Sequence, residues 1–224
     1  AVKFDWRTAA YSLHVPMIRA LFEQLAIPSR LGPLNLMELL NWTGAVLDRV
    51  DREAFFSQFD EGQAVQYFYE PFLQAFDPEL RKELGVWFTP PEVVRYMVAR
   101  VDTVLREELD IADGLADERV VVLDPCTGTG SFLVEVLRTI HTTLKAKGDD
   151  ALAGQDVKAA AMHRVFGFEI LPAPFVVAHL QLGLLLQNLG APLAANTDER
   201  VGVYLTNSLT GWEPPEGTQP PAVG

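Results

Sequence analysis

Val120-Val-Val-Leu-Asp-Pro-Cys-Thr-Gly-Thr-Gly-Ser-Phe-Leu133 decides how this chain folds. The β-branched and aliphatic run Val120 to Leu123 predicts a strand buried on both faces. Asp124 to Gly130 predicts a turn, and Ser131 to Lys147 a helix that stops at Gly148. Gly128 and Gly130 let the backbone turn sharply and pass close to a ligand. The helix start behind them offers free N–H groups and the positive end of a dipole. Asp124, at the carboxyl end of the strand, would repel a pyrophosphate and attract an ammonium group. The pattern therefore favours a nucleoside that carries an amino acid over a dinucleotide.

Working outward, Val165 to Glu169 predicts a second strand. An acid that closes such a strand accepts hydrogen bonds from the ribose hydroxyls of a bound nucleoside. A weaker helix is expected over Asp156 to His163, and a long apolar one over Pro172 to Asn188, stopped by Gly190. Val201 to Leu205 predicts a third strand. Strands alternating with helices imply a parallel sheet of βαβ units. Upstream, Thr89-Pro90-Pro91-Glu92 predicts a helix start with Thr89 as its cap, Pro90 at the first helical position and Glu92 three residues after the cap. That helix is expected to run through Val93, Val94, Met97, Val101, Val104 and Leu105, with a polar loop from Asp110 to Glu118 after it. Before residue 85 the texture is helical. Val15, Ile18, Leu21, Phe22 and Leu25 predict one helix, and Leu36, Leu39, Leu40, Val46, Leu47 and Val50 a second, with a break from Pro28 to Pro33 between them. Val65 to Phe76 carries an aromatic stripe, read as packing core rather than a base-stacking platform because it holds no Lys or Arg. After Thr210 the chain is rich in proline and glycine and reads as loop.

Composition bounds the function. Of 224 residues, 49% are hydrophobic and 21% charged, a globular balance that excludes a disordered chain. Acids outnumber bases 30 to 18, a net charge of −12. Acids exceed bases in both halves, so neither half forms a basic module for phosphate contact. The single Cys126 excludes an internal disulfide and a Cys-based zinc site, and the scattered histidines predict no metal centre. The longest apolar stretch, Phe175 to Leu186, is too short for a bilayer and contains His179 and Gln181. No signal peptide is legible at the N-terminus. These features predict a cytoplasmic protein that makes no contact with a membrane.

Three motifs in order carry a resemblance: Gly85-Val-Trp-Phe-Thr-Pro-Pro-Glu-Val-Val, Asp124-Pro-Cys-Thr-Gly-Thr-Gly-Ser-Phe-Leu and Gly167-Phe-Glu-Ile. Together they resemble the cofactor-binding half of adenine-N6 DNA methyltransferases of bacterial restriction-modification systems. Tyr69-Glu-Pro-Phe-Leu-Gln-Ala-Phe-Asp further resembles single-polypeptide enzymes that join such a methyltransferase to a translocase. The resemblance covers about Val65 to Leu209. It implies a partial doubly wound, Rossmann-like α/β domain over 85–224, preceded by a helical region over 1–84.

The resemblance also implies S-adenosylmethionine as the cofactor. Asp124 and the turn through Cys126, Thr127, Gly128 and Gly130, with Phe132 behind it, would hold the methionine part together with Phe88, Thr89 and Pro90. Glu169 would bind the ribose, Ile170 would pack on the adenine, and Asn207 would meet the adenine amino group. Cys126 stands where the family often has Ala. The family's catalytic motif, Asn or Asp before Pro-Pro and an aromatic, is not among these residues. The Pro-Pro pairs fall at 90–91, 214–215 and 220–221, in other contexts. No catalytic residue is therefore assigned, and the chain reads as a fragment whose parent would meet DNA through other segments. Other readings of the same residues are a methyltransferase of RNA or protein, a non-catalytic nucleotide-binding or specificity subunit, and a dinucleotide oxidoreductase. The last is opposed by Asp124 and by the lack of a third glycine in phase. The expected strand order leaves Val120 to Leu123 at a sheet edge, where self-association is expected.

The 224-residue chain is expected to transfer no methyl group to adenine in duplex DNA. It is also expected not to hold DNA at about 0.15 M salt, where little counterion release is available to it. Tritiated-methyl incorporation and fluorescence anisotropy check the two halves of this prediction.

Overall fold

The computed structural model describes residues 5–7, 16–51, 54, 89–148, 152–194 and 197–211. Val65 to Phe76, Phe88 and the segment 212–224 lie outside the described residues. The chain forms two compact units, 1–76 with 193–200, and 77–192 with 201–224. In the first, α1 (Pro16–Leu25) and α3 (Leu36–Leu47) agree with the expected helices. The expected break between them instead contains a one-turn helix, α2 (Pro28–Leu31), because a proline is well suited to the first position of a helix. Buried Trp6 donates its indole N–H to Asn41 Oδ1 at 3.2 Å.

The second unit holds the sheet. Its strands are β1 (Val122–Asp124), β2 (Val165–Glu169) and β3 (Gly202–Leu205), all parallel, in the order β1-β2-β3. Around them lie α4 (Pro91–Glu107), α5 (Ser131–Ala146), α6 (Ala153–His163) and α7 (Pro172–Asn188). The alternation and the parallel sheet match expectation. β1 does not: it starts two residues late and is half open, with Leu123 50% exposed. Pairing begins where Val122 N–H reaches the Arg164 carbonyl at 2.8 Å, and the Arg164 guanidinium takes the Val120 carbonyl at 3.1 Å. Among the described residues β1 is paired on one side alone, which leaves one of its edges uncovered.

Two further corrections have local causes. Thr89 is not the cap of α4; Pro90 is, at φ −54° and ψ 139°. A residue before a proline is held extended, so Pro90 cannot enter the helix that Pro91 begins. The expected polar loop after α4 contains a buried turn of 3-10 helix, Gly114–Ala116. Asp102 Oδ1 accepts Leu115 N–H at 2.7 Å, and Arg106 binds Asp102 Oδ2 at 2.8 Å and the Ala112 carbonyl at 2.6 Å. Of the apolar face expected of α4, Val94 is buried, while Val93, Met97 and Val101 are exposed; Val98, outside that expected set, is buried.

α7 is buried along most of its length, including Phe175, Ala178, His179, Gln181 and Leu182. No helix among the described residues is long and apolar enough to cross a membrane. β2 sets how closely the turn after β1 can approach. The register pairs Asp124 with Gly167, and a Cβ on Gly167 would collide with Thr127 Oγ1 and lie 2.7 Å from Leu133 Cδ1. Gly167→Ala is therefore expected to destabilise the chain by about 1–3 kcal/mol, as overpacked cores do. Urea unfolding of the two proteins measures it.

Candidate functional site

The site lies at the carboxyl ends of the three strands, where the turn after β1 folds over β2. Asp124 ends β1, and its Oδ1 accepts Cys126 N–H at 3.0 Å. Thr127 is buried and fixes the turn twice: its hydroxyl donates to the Asp124 carbonyl at 3.0 Å, and its N–H to the Phe168 carbonyl at 2.9 Å. Gly128 and Gly130 have φ of +56° and +91°, the left-handed values that glycine adopts without strain. Gly130 caps α5, and no side chain caps that helix start. A Cβ on Gly130 would come within 3.2 Å of Ala178 Cβ on α7, so the turn rests directly on that helix. A Cβ on Gly128 would meet nothing within 4 Å.

Glu169 ends β2 and is 8% exposed. Its Oε2 accepts Gly128 N–H at 2.8 Å, and its Oε1 accepts Leu171 N–H at 2.8 Å. Asp124 and Glu169 thus stand together at the turn. Burial pushes the Asp124 carboxyl up from its ordinary range; the Cys126 N–H bond opposes this, and the charge of Glu169 adds to it. Asp124 Oδ2 is buried and has no hydrogen-bond partner among the described residues. A buried acceptor left in this state is costly, and a donor from a ligand would relieve it.

The other expected residues are placed less closely. Ile170 follows Glu169 and is exposed. Phe132 lines a groove of about 290 Å³ together with Met97, Val98 and Val101 of α4, Val122 to Pro125, and Leu133 and Val136 of α5. Thr89 and Pro90 lie just before α4, eight and seven residues ahead of Met97. Cys126 is exposed. Asn207 follows β3, but its Oδ1 already accepts Leu209 N–H at 2.9 Å and Thr210 N–H at 3.3 Å, so this acceptor serves its own loop. One residue was missed. Gln181, buried on α7, donates from Nε2 to the Thr129 carbonyl at 2.9 Å. The signal was a lone amide in an apolar helix, which must find a partner when buried.

The donor set fits S-adenosylmethionine. The paired carboxylates suit a cation, the orphan Asp124 oxygen suits an ammonium donor, and the open side of Gly128 leaves room for a ligand against the backbone. Among the described residues no group of His, Cys, Asp and Glu could hold a metal.

The chain is similar to a Methanocaldococcus jannaschii protein described as a candidate type II restriction enzyme and methyltransferase. The two are 23% identical, over 94% of this chain and 22% of that protein. Among solved structures, the DrdV–DNA complex matches with a TM-score of 0.63 and 23% identity, over 90% of this chain and 19% of that one. The ATP-dependent Type ISP restriction-modification enzyme LlaBIII bound to DNA matches with a TM-score of 0.58 and 23% identity, over 88% and 12%. The chain spans about a fifth of the length of the curated relative. Residues 61–181, more than half of the chain, match the model of the N-6 DNA Methylase family, and the chain belongs to that family.

Proposed function

We propose that this chain is the S-adenosylmethionine-binding part of a site-specific DNA methyltransferase that methylates adenine N6 in a restriction-modification system. The observation that supports it best is the buried Asp124 Oδ2 without a partner, at the carboxyl end of β1 and beside Glu169. S-adenosylmethionine supplies a methyl group on a positively charged sulfur. Asp124 accepts the ammonium of its methionine end. The uncapped start of α5, with Gly128 and Gly130 before it, receives the methionine carboxylate through backbone N–H groups. Glu169 accepts the ribose hydroxyls, and Ile170 gives the adenine an apolar surface. Phe88, Thr89 and Pro90 help to hold the methionine part. Cys126 and Thr127 shape the turn, and Asn207 shapes the loop after β3. The chain binds and orients the cofactor; groups elsewhere in the longer protein engage DNA and the target base.

Calorimetric titration with S-adenosylmethionine and with NAD tests the reading. Binding of the first alone is expected, and a preference for NAD would overturn it.

Asp124→Asn separates the ligand's use of the charge from the cost of that charge to the fold. The variant is expected to bind S-adenosylmethionine roughly ten- to a hundredfold more weakly, the range of a bond to a charged acceptor. Its stability moves the other way. The folded-state pKa of Asp124 is raised, so its contribution to stability is fully present below the unfolded-state value and is lost as pH rises through the folded-state value. The variant should therefore melt at or above the parent temperature in neutral solution, and the gap should close as pH falls toward 4. Thermal melts across pH check the sign.

A further inference from the structure

Glu169 makes two bonds that a ribose acceptor does not need. Gly128 N–H, 41 positions earlier, reaches its Oε2 at 2.8 Å, and Leu171 N–H reaches its Oε1 at 2.8 Å. A carboxylate has about four lone-pair sites. The two amides occupy one on each oxygen, which leaves one on each for a pair of hydroxyls, so both sets of bonds can coexist. Gly128 is also where the turn most needs a hold. Its φ is +56° and a Cβ there would meet nothing within 4 Å, so the side of the backbone where a side chain would stand is open. The next two residues are held from α7, Thr129 by Gln181 at 2.9 Å and Gly130 by contact with Ala178.

We infer that Glu169 is a positioning residue for the Gly-rich turn as well as the acceptor for the ribose. The carboxylate that grips the nucleoside thereby fixes the backbone that receives the amino-acid end. This rests on the S-adenosylmethionine reading and adds a consequence to it. Loss of the carboxylate weakens the binding even of a ligand that has no ribose hydroxyls. In Glu169→Gln the side chain keeps one acceptor oxygen, and its NH2 group cannot face an amide N–H. The remaining oxygen stays with Leu171, its neighbour in sequence, and Gly128 is released.

The test uses S-adenosylhomocysteine and its 2′,3′-dideoxy analogue as calorimetric probes on the parent chain and on Glu169→Gln. The dideoxy analogue is expected to bind the variant roughly tenfold more weakly than the parent, near the lower bound for a bond to a charged acceptor. In the ligand-free variant the Gly128 amide should exchange with deuterium at least about tenfold faster by NMR, while the Val165 to Phe168 amides keep their protection and report that the sheet is intact. Glu169→Asp, which keeps the charge but falls one methylene short of Gly128, should show the same acceleration and serves if the glutamine variant does not fold. Unchanged Gly128 exchange, with any affinity loss confined to the hydroxylated ligand, would overturn the inference. If the parent binds neither probe, the cofactor reading falls, and exchange at Gly128 still decides whether Glu169 holds the turn.

Discussion

The bond between Glu169 and Gly128 N–H joins segments 41 residues apart, and the site depends on it. The sheet register makes it possible. Asp124, the last residue of β1, pairs with Gly167, so β2 continues for two residues beyond the end of its neighbour. At about 3.3 Å per residue that carries its end over the turn. Side chains alternate along a strand, so Gly167 and Glu169 share a face, opposite Phe166 and Phe168. On that face the missing side chain at 167 lets Thr127 sit against the sheet, and the carboxylate at 169 reaches back to Gly128. Phe166 and Phe168, on the other side, meet Tyr204 with ring centroids 6.4 and 6.3 Å away. One short strand thus supplies the seat of the turn, its charged hold and part of the sheet's packing.

Gathering two acids in one place has an energetic consequence that bears on function. Ionised Asp124 is opposed by its burial and by the charge of Glu169. Nothing about holding the turn together requires that. Glu169 holds Gly128, and Thr127, Gln181 and Ala178 hold the neighbouring residues through neutral contacts, so the turn does not need the charge of Asp124. A charge that works against the fold, at a strand end and with a buried oxygen unengaged, is better understood as preparation for a cationic ligand than as a structural device. The same polarity is unfavourable for phosphate. The chain carries −12 overall, and its carboxylates at the site fit the positively charged cofactor proposed for it.

How much the sequence revealed depends on how local the deciding physics is. β2 and α7 have their expected limits to the residue, because Glu169 and Pro172 punctuate them sharply. The turn glycines do make a sharp turn, through left-handed φ values that other residues rarely adopt. The limits of β1 were less legible, since they depend on Arg164, which sits more than forty positions away and takes the Val120 carbonyl that a strand would otherwise have paired. The cap of α4 was misplaced because two consecutive prolines shift the helix start by one residue, a rule that Thr89 as a good capping residue conceals. Asn207 shows the opposite case: its turn chemistry was visible in sequence, and the two amides on its Oδ1 show that chemistry at work.

Gln181 marks where reading along the chain stops being enough. It is 52 positions from Thr129 and lies in a helix whose other buried residues are almost all apolar. Its polarity says only that a partner exists. The partner follows from α7 packing beside the turn, and that packing requires Gly130, where a Cβ would press on Ala178. The second glycine of the motif therefore answers to α7 and the first to Glu169. Gly128 sits on the open side, where a Cβ would project into space a ligand can fill, and Gly130 on the packed side, where it would strike protein. The two glycines look equivalent in sequence, yet one keeps the backbone accessible and the other lets it be anchored. A turn that must be both exposed to a ligand and fixed in position needs the two together.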